Sequence, residues 1–428
     1  MKKIILSNQE VKGTKDWLPE EFFIRDYIFS NWKQICLSYG FSQYLTPILE
    51  NADIYRAKSG EDIGIKELMV FKDQAGRDLA IRPEMTPSIS RLVSKIYSSS
   101  PKPLKLFSIT NFIRNERPQR GRNREFWQLN CDIFGEDGTL SDLETLQLAI
   151  DLMLIFNPPK NSFVLKINSR KLIDDLFDLL NLGEDKKISL TRLMDKYEKL
   201  SDEEFYKAVM DMGLKMDDTN RIDSFLRADS IDDLVEKLPE LLDKESVKEM
   251  RALIKQLSDL GYQEYLLFSP SVIRGFDYYD GLIFEIFDNH PENNRAMFGG
   301  GRYNGLAEIF GSKSFPAVGF AIGDETFRIF LESWDILPKT NLYENTYFLP
   351  LLSESLINQS FSLSKELRAK GEKVEMGLDV TKIGKALEYA NKKGVGKIVI
   401  FGEDEFAKKC YKIKDMKSGE EQIVSWSF

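Results

Sequence analysis

Five arginines crowd into the eleven residues from Arg114 to Arg124, and the sequence on either side is extended and apolar, Leu104 to Thr110 before it and Phe126 to Phe134 after it. A cationic run this dense falls on the loop between two strands, which commits this part of the chain to sheet. Planar guanidinium groups bind phosphate in bidentate fashion, and Phe126, entering the second strand beside them, offers a flat face to a base. A solvated charged turn is the plainer reading of such a run.

The other extended runs early in the chain are Phe41 to Leu45, Leu68 to Lys72 and Asp78 to Arg82, with turn signals at Asn51 and at Gln74-Ala75-Gly76. They suggest antiparallel sheet. Before them, Asp16-Trp17-Leu18-Pro19-Glu20-Glu21 reads as a helix start, and Gly40 closes the amphipathic run that follows. Between about Ser169 and Gln263 the texture becomes helical, with apolar periodicity over Leu172 to Leu180, Phe205 to Met212 and Val247 to Leu260. Strand-like sequence resumes at Leu282 to Phe287 and Val318 to Ile322, and a helical run from Glu325 to Trp334 follows. The first domain is therefore split by a helical insertion. After a linker at Pro338, Lys339 and Asn341, strand and helix alternate. Tyr347 to Leu351, Lys373 to Glu375 and Lys397 to Phe401 are extended, and Ser355 to Lys370 and Thr381 to Lys393 helical. That alternation describes a separate α/β module.

Composition narrows the chemistry. The 428 residues suffice for about two to four domains. With 42% hydrophobic and 30% charged residues, the chain falls in the range of soluble globular proteins. No apolar run reaches the roughly 18 to 20 residues of a membrane span, and Met1 to Gly13 lacks the apolar stretch of a signal peptide, so a cytoplasmic protein is expected. Cys36, Cys131 and Cys410 are far apart and read as buried thiols, with neither a disulfide framework nor a zinc site indicated. A single histidine, His290, in the polar turn Asn289 to Glu292, excludes Ser-His-Asp triads and histidine metal sites. The net charge of −9 argues against indiscriminate coating of nucleic acid and leaves room for a local basic site.

Three further clusters carry reactive side chains. Ile81 to Pro87 places Glu84 and Thr86 after a strand, where they could hold an ammonium group or, more plainly, begin a capped helix. Arg274 to Gly281 and Gly299 to Leu306 each pair a cation with tyrosine hydroxyls. The glycines of the second read either as a flexible turn or as room for a ligand beside the backbone, and neither a P-loop nor a Rossmann spacing is present.

Taken in order, these clusters resemble the histidyl-tRNA synthetase family of class II aminoacyl-tRNA synthetases, from Gly13 through Glu421. Gly13-Thr14-Lys15-Asp16 is similar to the family's opening, Thr46 to Glu50 to its motif 1 at the dimer interface, and Arg114 to Gln128 to its motif 2. Arg274 to Tyr279 resembles its histidine-specific signature, and Gly300 to Tyr303 and Phe401 to Glu405 also fall in family order. The resemblance implies an α+β fold: a class II antiparallel sheet flanked by helices over 1–168 and 264–336, a helical insertion over 169–263, and a C-terminal α/β anticodon-binding domain over 343–428. It implies ATP-dependent ligation of L-histidine to the 3′ end of histidine tRNA through histidyl-adenylate, by a homodimer using Mg²⁺. Arg114, Arg274 and Gln128 would be catalytic, with Arg114, Glu116, Arg122, Phe126 and Arg274 on ATP. Glu84, Thr86, Gln128, Asp132, Tyr278 and Tyr279 would hold histidine, and Gln119 and Arg120 would approach the tRNA acceptor end.

The sequence departs from the family pattern in places. Gly323-Asp324-Glu325-Thr326 stands where motif 3 usually ends in arginine, and Arg328, two residues on, points to another side of a helix at about 100° per residue. Trp127 replaces a usual histidine, Asp132 a frequent glutamate, and the chain ends at Phe428, soon after its last extended run, where many relatives carry another helix. A second implied reading is a non-ligase paralogue that binds histidine and regulates ATP phosphoribosyltransferase. The presence of the C-terminal module and of Glu84, Arg114, Gln128, Arg274 and Tyr279 opposes it.

Overall fold

A computed structural model describes residues 7–57, 66–273, 278–293, 295–339 and 341–426. Helix α1 (Pro19–Ser38) starts with Glu20 and Glu21 at the positive end of its dipole, and Gly40 follows its end with φ +77°. After β1 (Ser42–Gln43) comes a small antiparallel sheet of β2 (Leu49–Asn51), β3 (Met69–Lys72) and β4 (Asp78–Ile81), with α2 (Ala52–Arg56) between β2 and β3. Helix α3 (Thr86–Ile96) leads into the hairpin of β5 (Leu104–Ile113) and β6 (Glu125–Phe134), then α4 (Thr139–Leu154) and β7 (Phe163–Ser169). Residues 170–259 supply helices α5 to α10 (Arg170–Leu179, Glu184–Met194, Asp202–Asp211, Met216–Leu226, Ile231–Lys237 and Glu245–Asp259). Strands β8 (Leu266–Phe268), β9 (Leu282–Asp288), β10 (Arg295–Arg302) and β11 (Ala317–Gly323) and helix α11 (Asp324–Ser333) follow.

The large sheet runs β1-β5-β6-β11-β10-β9-β7-β8. Every pair from β5 to β7 is antiparallel, and only the outermost pairs, β1 with β5 and β7 with β8, are parallel. The run Phe41 to Leu45 thus differs from expectation: just Ser42 and Gln43 pair, and in parallel. The reason is topological, because the small sheet and α3 form the long crossover that a parallel neighbour needs. The glycines Gly299, Gly300 and Gly301 lie inside β10 rather than in a turn. A Cβ on Gly300 would overlap the Gly319 carbonyl and one on Gly301 the Leu282 carbonyl, so the close approach of adjacent strands excludes side chains there.

Contacts divide the chain into two compact units, Met1–Trp17 with Arg25–Leu337, and Leu18–Ile24 with Pro338–Phe428. Residues 169–263 fall within the first. There Cys36 and Cys131, remote in sequence, bring their buried Sγ atoms to 3.4 Å. Beneath the sheet, Met85, Ile89 and Val93 of the α3 region pack on Phe112, Phe134 and Phe315.

The second unit is a sheet of β12 (Thr346–Leu351), β13 (Lys373–Val380), β14 (Lys397–Ile400), β15 (Cys410–Asp415) and β16 (Glu421–Ser425), ordered β13-β12-β14-β15-β16. Helices α12 (Ile357–Ala369), α13 (Ile383–Lys393) and α14 (Glu403–Ala407) complete it. Alternation along β12 divides its core: Tyr347 and Leu349 pack with Leu363 and Leu367 of α12, and Phe348 with Ala386 and Ala390 of α13. Among the described residues no helix is long and apolar enough to cross a membrane.

Candidate active site

Strand β6 turns Phe126, Gln128 and Asp132 toward one cavity of about 640 Å³, the even spacing that a strand imposes. Thr86, Arg114, Glu116, Arg122, Tyr278 and Tyr279 line the same cavity. Its floor follows from register. Asp132 of β6 lies opposite Gly319 of β11, which lies opposite Gly301 of β10. A Cβ on Gly319 would overlap the Asp132 carboxylate, so one carboxylate occupies this row with glycine beside it.

Burial dominates the electrostatics of that floor. It pushes the Asp132 carboxyl up to about 7, although the Tyr303 hydroxyl donates to Asp132 Oδ1 at 2.5 Å and favours the ionised form. Tyr278, Tyr279 and Tyr303 are all held protonated well above the ordinary phenol range, by burial first and then by the charges of Glu84 or Asp132. Tyr278 donates to Glu84 Oε2 at 3.2 Å. Two buried carboxylates and their phenols therefore form a polar end to the cavity, suited to a ligand that carries both an ammonium group and a hydrogen-bonding ring.

The opposite wall is the hairpin connection. Gln119 and Arg122 exchange backbone hydrogen bonds of 2.9 Å across the tip, where Gly121 takes φ +76°. Arg114 donates through Nε to the Pro83 carbonyl at 3.0 Å, and its guanidinium lies 4.9 Å from the centre of the Phe126 ring. Arg122 faces Glu116 at 3.7 Å, while Arg124 is turned back onto the Glu116 carbonyl at 3.2 Å. Gly13 accepts from the amides of Arg124 and Glu125, and a Cβ there would come within 2.6 Å of Pro118 and 2.9 Å of Arg124. The opening motif thus braces the arginine loop.

At the start of α11, Asp324 is pushed up to about 6 by burial and stays paired with Arg25 at 2.9 Å. Its other oxygen accepts from the Trp127 amide at 3.0 Å.

The Histidyl-tRNA synthetase family model matches residues 13–326. The chain belongs to the histidyl-tRNA synthetase family. The Anticodon binding domain model matches residues 346–428. The chain is 39% identical over 432 residues to a histidine–tRNA ligase of Leptospira biflexa, covering 100% of this chain and 97% of the relative. To the histidine–tRNA ligase of Pyrococcus furiosus it is 35% identical over 424 residues, 97% of this chain and 96% of that one. Among solved structures, the histidyl-tRNA synthetase from Nostoc sp. PCC 7120 has the same fold, with a TM-score of 0.83, 24% identity, and coverage of 98% of this chain and 97% of that one.

Of the residues expected from sequence, Thr86, Arg114, Glu116, Arg122, Phe126, Gln128, Asp132, Tyr278 and Tyr279 meet at the cavity, and Glu84 joins them through Tyr278. Thr86 does not cap α3; Met85 holds that position without a side-chain cap. Gln119 and Arg120 sit at the hairpin tip. Arg274 lies outside the described residues. Sequence reasoning missed Arg295, and it left Tyr303 without a role. For Arg295 the available signal was a cation at the start of an apolar, glycine-rich run. Thr326 lines the cavity, donating to the carbonyls of Gly323 and Met297 at 3.1 and 3.3 Å, whereas Arg328 is engaged by Glu325 and Glu332.

Proposed function

We propose that this chain joins L-histidine to histidine tRNA, using ATP to form histidyl-adenylate. The observation that carries the reading is a single cavity with arginines of the hairpin loop on one wall and the Asp132, Glu84 and tyrosine cluster on another. In the first step a histidine carboxylate oxygen attacks the α-phosphorus of ATP and pyrophosphate leaves. In the second, a terminal ribose hydroxyl of the tRNA attacks the adenylate carbonyl and AMP leaves. Neither step needs an enzyme nucleophile, so fixed cations and orientation do the catalytic work.

A neutral imidazole has one ring N–H and one lone pair. The N–H donates to Asp132 and the lone pair accepts from Tyr279, a pairing that an apolar side chain leaves unsatisfied. Glu84, with Tyr278 and Thr86, takes the ammonium group, and Gln128 steadies the carboxylate. Arg114 bridges that carboxylate and the α-phosphate, Arg122 and Glu116 hold the nucleotide, and Phe126 stacks on adenine. Arg274 supplies the second cation at the α-phosphate on sequence grounds. Gln119 and Arg120, at the tip of the loop, meet the acceptor end, and residues 346–428 bind the anticodon.

A bound Mg²⁺ would supply charge neutralisation of the triphosphate. Glu116 and Glu325, the carboxylates nearest the nucleotide end of the cavity wall, would be the residues to hold it. The homodimer goes with exposed Leu45, Ile48, Leu49, Val70 and Phe71 on and beside the small sheet. A cytoplasmic site of action goes with the same reading. No observation favours the regulatory alternative.

The test is ATP–pyrophosphate exchange by the purified chain with Mg²⁺, against a panel of amino acids. Exchange dependent on histidine alone is expected, and exchange with none of them would overturn the proposal.

A further inference from the structure

Two arginines stand at the ends of β10, and their surroundings differ. Arg302 is buried and saturated: it pairs with Asp142 at 2.7 Å and donates to the carbonyls of Glu136 and Gly138 and to the Ser141 hydroxyl. Arg295 lines the cavity, and Asp288, the carboxylate opposite it on β9, accepts hydrogen bonds from the His290 amide, Asn293 and Trp334 instead. Arg295 Nη1 donates to the Arg120 carbonyl at 3.3 Å, while Nε and Nη2 are buried and meet no hydrogen-bond acceptor among the described residues. Leaving charged donors covered and unsatisfied is costly, so a guanidinium held this way is a standing site for an anion.

We infer that Arg295 binds the outer phosphates of ATP, in place of the arginine for which this chain has Thr326. The two positions are adjacent in space: Thr326 donates to the carbonyl of Met297, two residues along β10 from Arg295. Arg328 does not fill the gap, since Glu325 holds it at 3.2 Å and Glu332 also binds it. Burial first, and then the charges of Arg120 and Arg122, hold the pKa of Arg295 below the ordinary arginine value against the pull of Asp288, its register partner on β9. A polyanion between these three cations relieves their repulsion. The hairpin tip rests on the same guanidinium: a Cβ on Gly121 would lie 2.5 Å from Nη2. Phosphate on Arg295 therefore also sets where the tip, and with it Arg120 and Arg122, comes to rest.

The inference rests on the reading that this cavity takes ATP, and the experiment separates the two. Binding of ATP and of AMP to the full-length chain is measured by calorimetry for the wild type, Arg295→Ala, Arg295→Lys and the double variant Arg295→Ala/Thr326→Arg, with thermal unfolding as a check on folding. Loss of a charged hydrogen-bonding partner predicts ATP binding weaker by about 10- to 100-fold in Arg295→Ala. AMP binding stays within about twofold, Arg295→Lys recovers part of the ATP affinity, and the double variant restores most of it. In pyrophosphate exchange the KM for ATP rises while the KM for histidine holds. Equal losses for ATP and AMP, or no loss for ATP, overturn the role of Arg295. A wild type that binds ATP normally yet shows no histidine-dependent exchange overturns the ligase reading and leaves the nucleotide comparison decisive. A wild type that binds no ATP overturns both.

Discussion

Replacing Asp132 by asparagine removes a buried ionisation while keeping an oxygen for the Tyr303 hydroxyl. Burial places the folded carboxyl at about 7, against about 3.9 in an unfolded chain. Between those values the folded state retains a proton that the unfolded state releases, so wild-type stability falls as pH rises from about 4 through about 7. Raising the carboxyl from about 3.9 to about 7 is worth about 4 kcal/mol in all, of which about 3 kcal/mol falls between pH 5 and 8. The amide of the Asp132→Asn variant carries none of this dependence. Thermal unfolding of the ligand-free proteins across that window is therefore expected to show the melting temperature of Asp132→Asn rising against wild type by a few degrees. Saturating L-histidine should narrow the gap, because an imidazole N–H stabilises the wild-type carboxylate. The same substitution weakens histidine in pyrophosphate exchange, raising its KM by about 10- to 100-fold. Parallel melting curves from pH 5 to 8 would refute the claim that Asp132 is buried at the cost of its charge.

Gly319→Ala should impair histidine binding more than ATP binding, since the added methyl overlaps the Asp132 carboxylate; equal KM values in exchange for variant and wild type would show that the strand yields. Arg114→Ala should lower kcat for exchange by about 10²- to 10³-fold with little change in melting temperature, because the lost cation acts where charge develops; near-normal exchange would reject its role. Thr326→Arg should fold normally and lower the KM for ATP, as its side chain already faces the cavity; a loss of folding would show the site rebuilt around threonine.

The arginine loop was legible because two apolar runs of strand period bracket charges that no core accepts, and the hairpin follows from that alone. The C-terminal alternation was legible from its change of period, although β13 runs on to Val380 and the strands β15 and β16 were not read. Side chains whose positions depend on strand pairing were not. Gly319 matters because register sets it beside Asp132, 187 positions earlier in the numbering, and Arg295 matters because β10 returns it to the loop carrying Arg120 and Arg122. The glycines of β10 read either as a turn or as room for a ligand, since sequence shows their lack of side chains and not the neighbouring carbonyls that demand it.

Trp127 shows how a departure from the family pattern is absorbed. What position 127 gives the site is its backbone N–H, which donates to Asp324, and any residue but proline supplies that. The side chain serves a different purpose: its ring lies 5.4 Å from the Arg25 guanidinium and 5.6 Å from the Phe29 ring. Arg25 in turn stacks 3.4 Å over Trp17 and pairs with Asp324. An indole here surrounds that cation with apolar and π surface beside the buried pair that ties Arg25 of α1 to the start of α11. Trp127 thus stands where its main chain meets Asp324, while Gln128, next along the strand, faces the cavity.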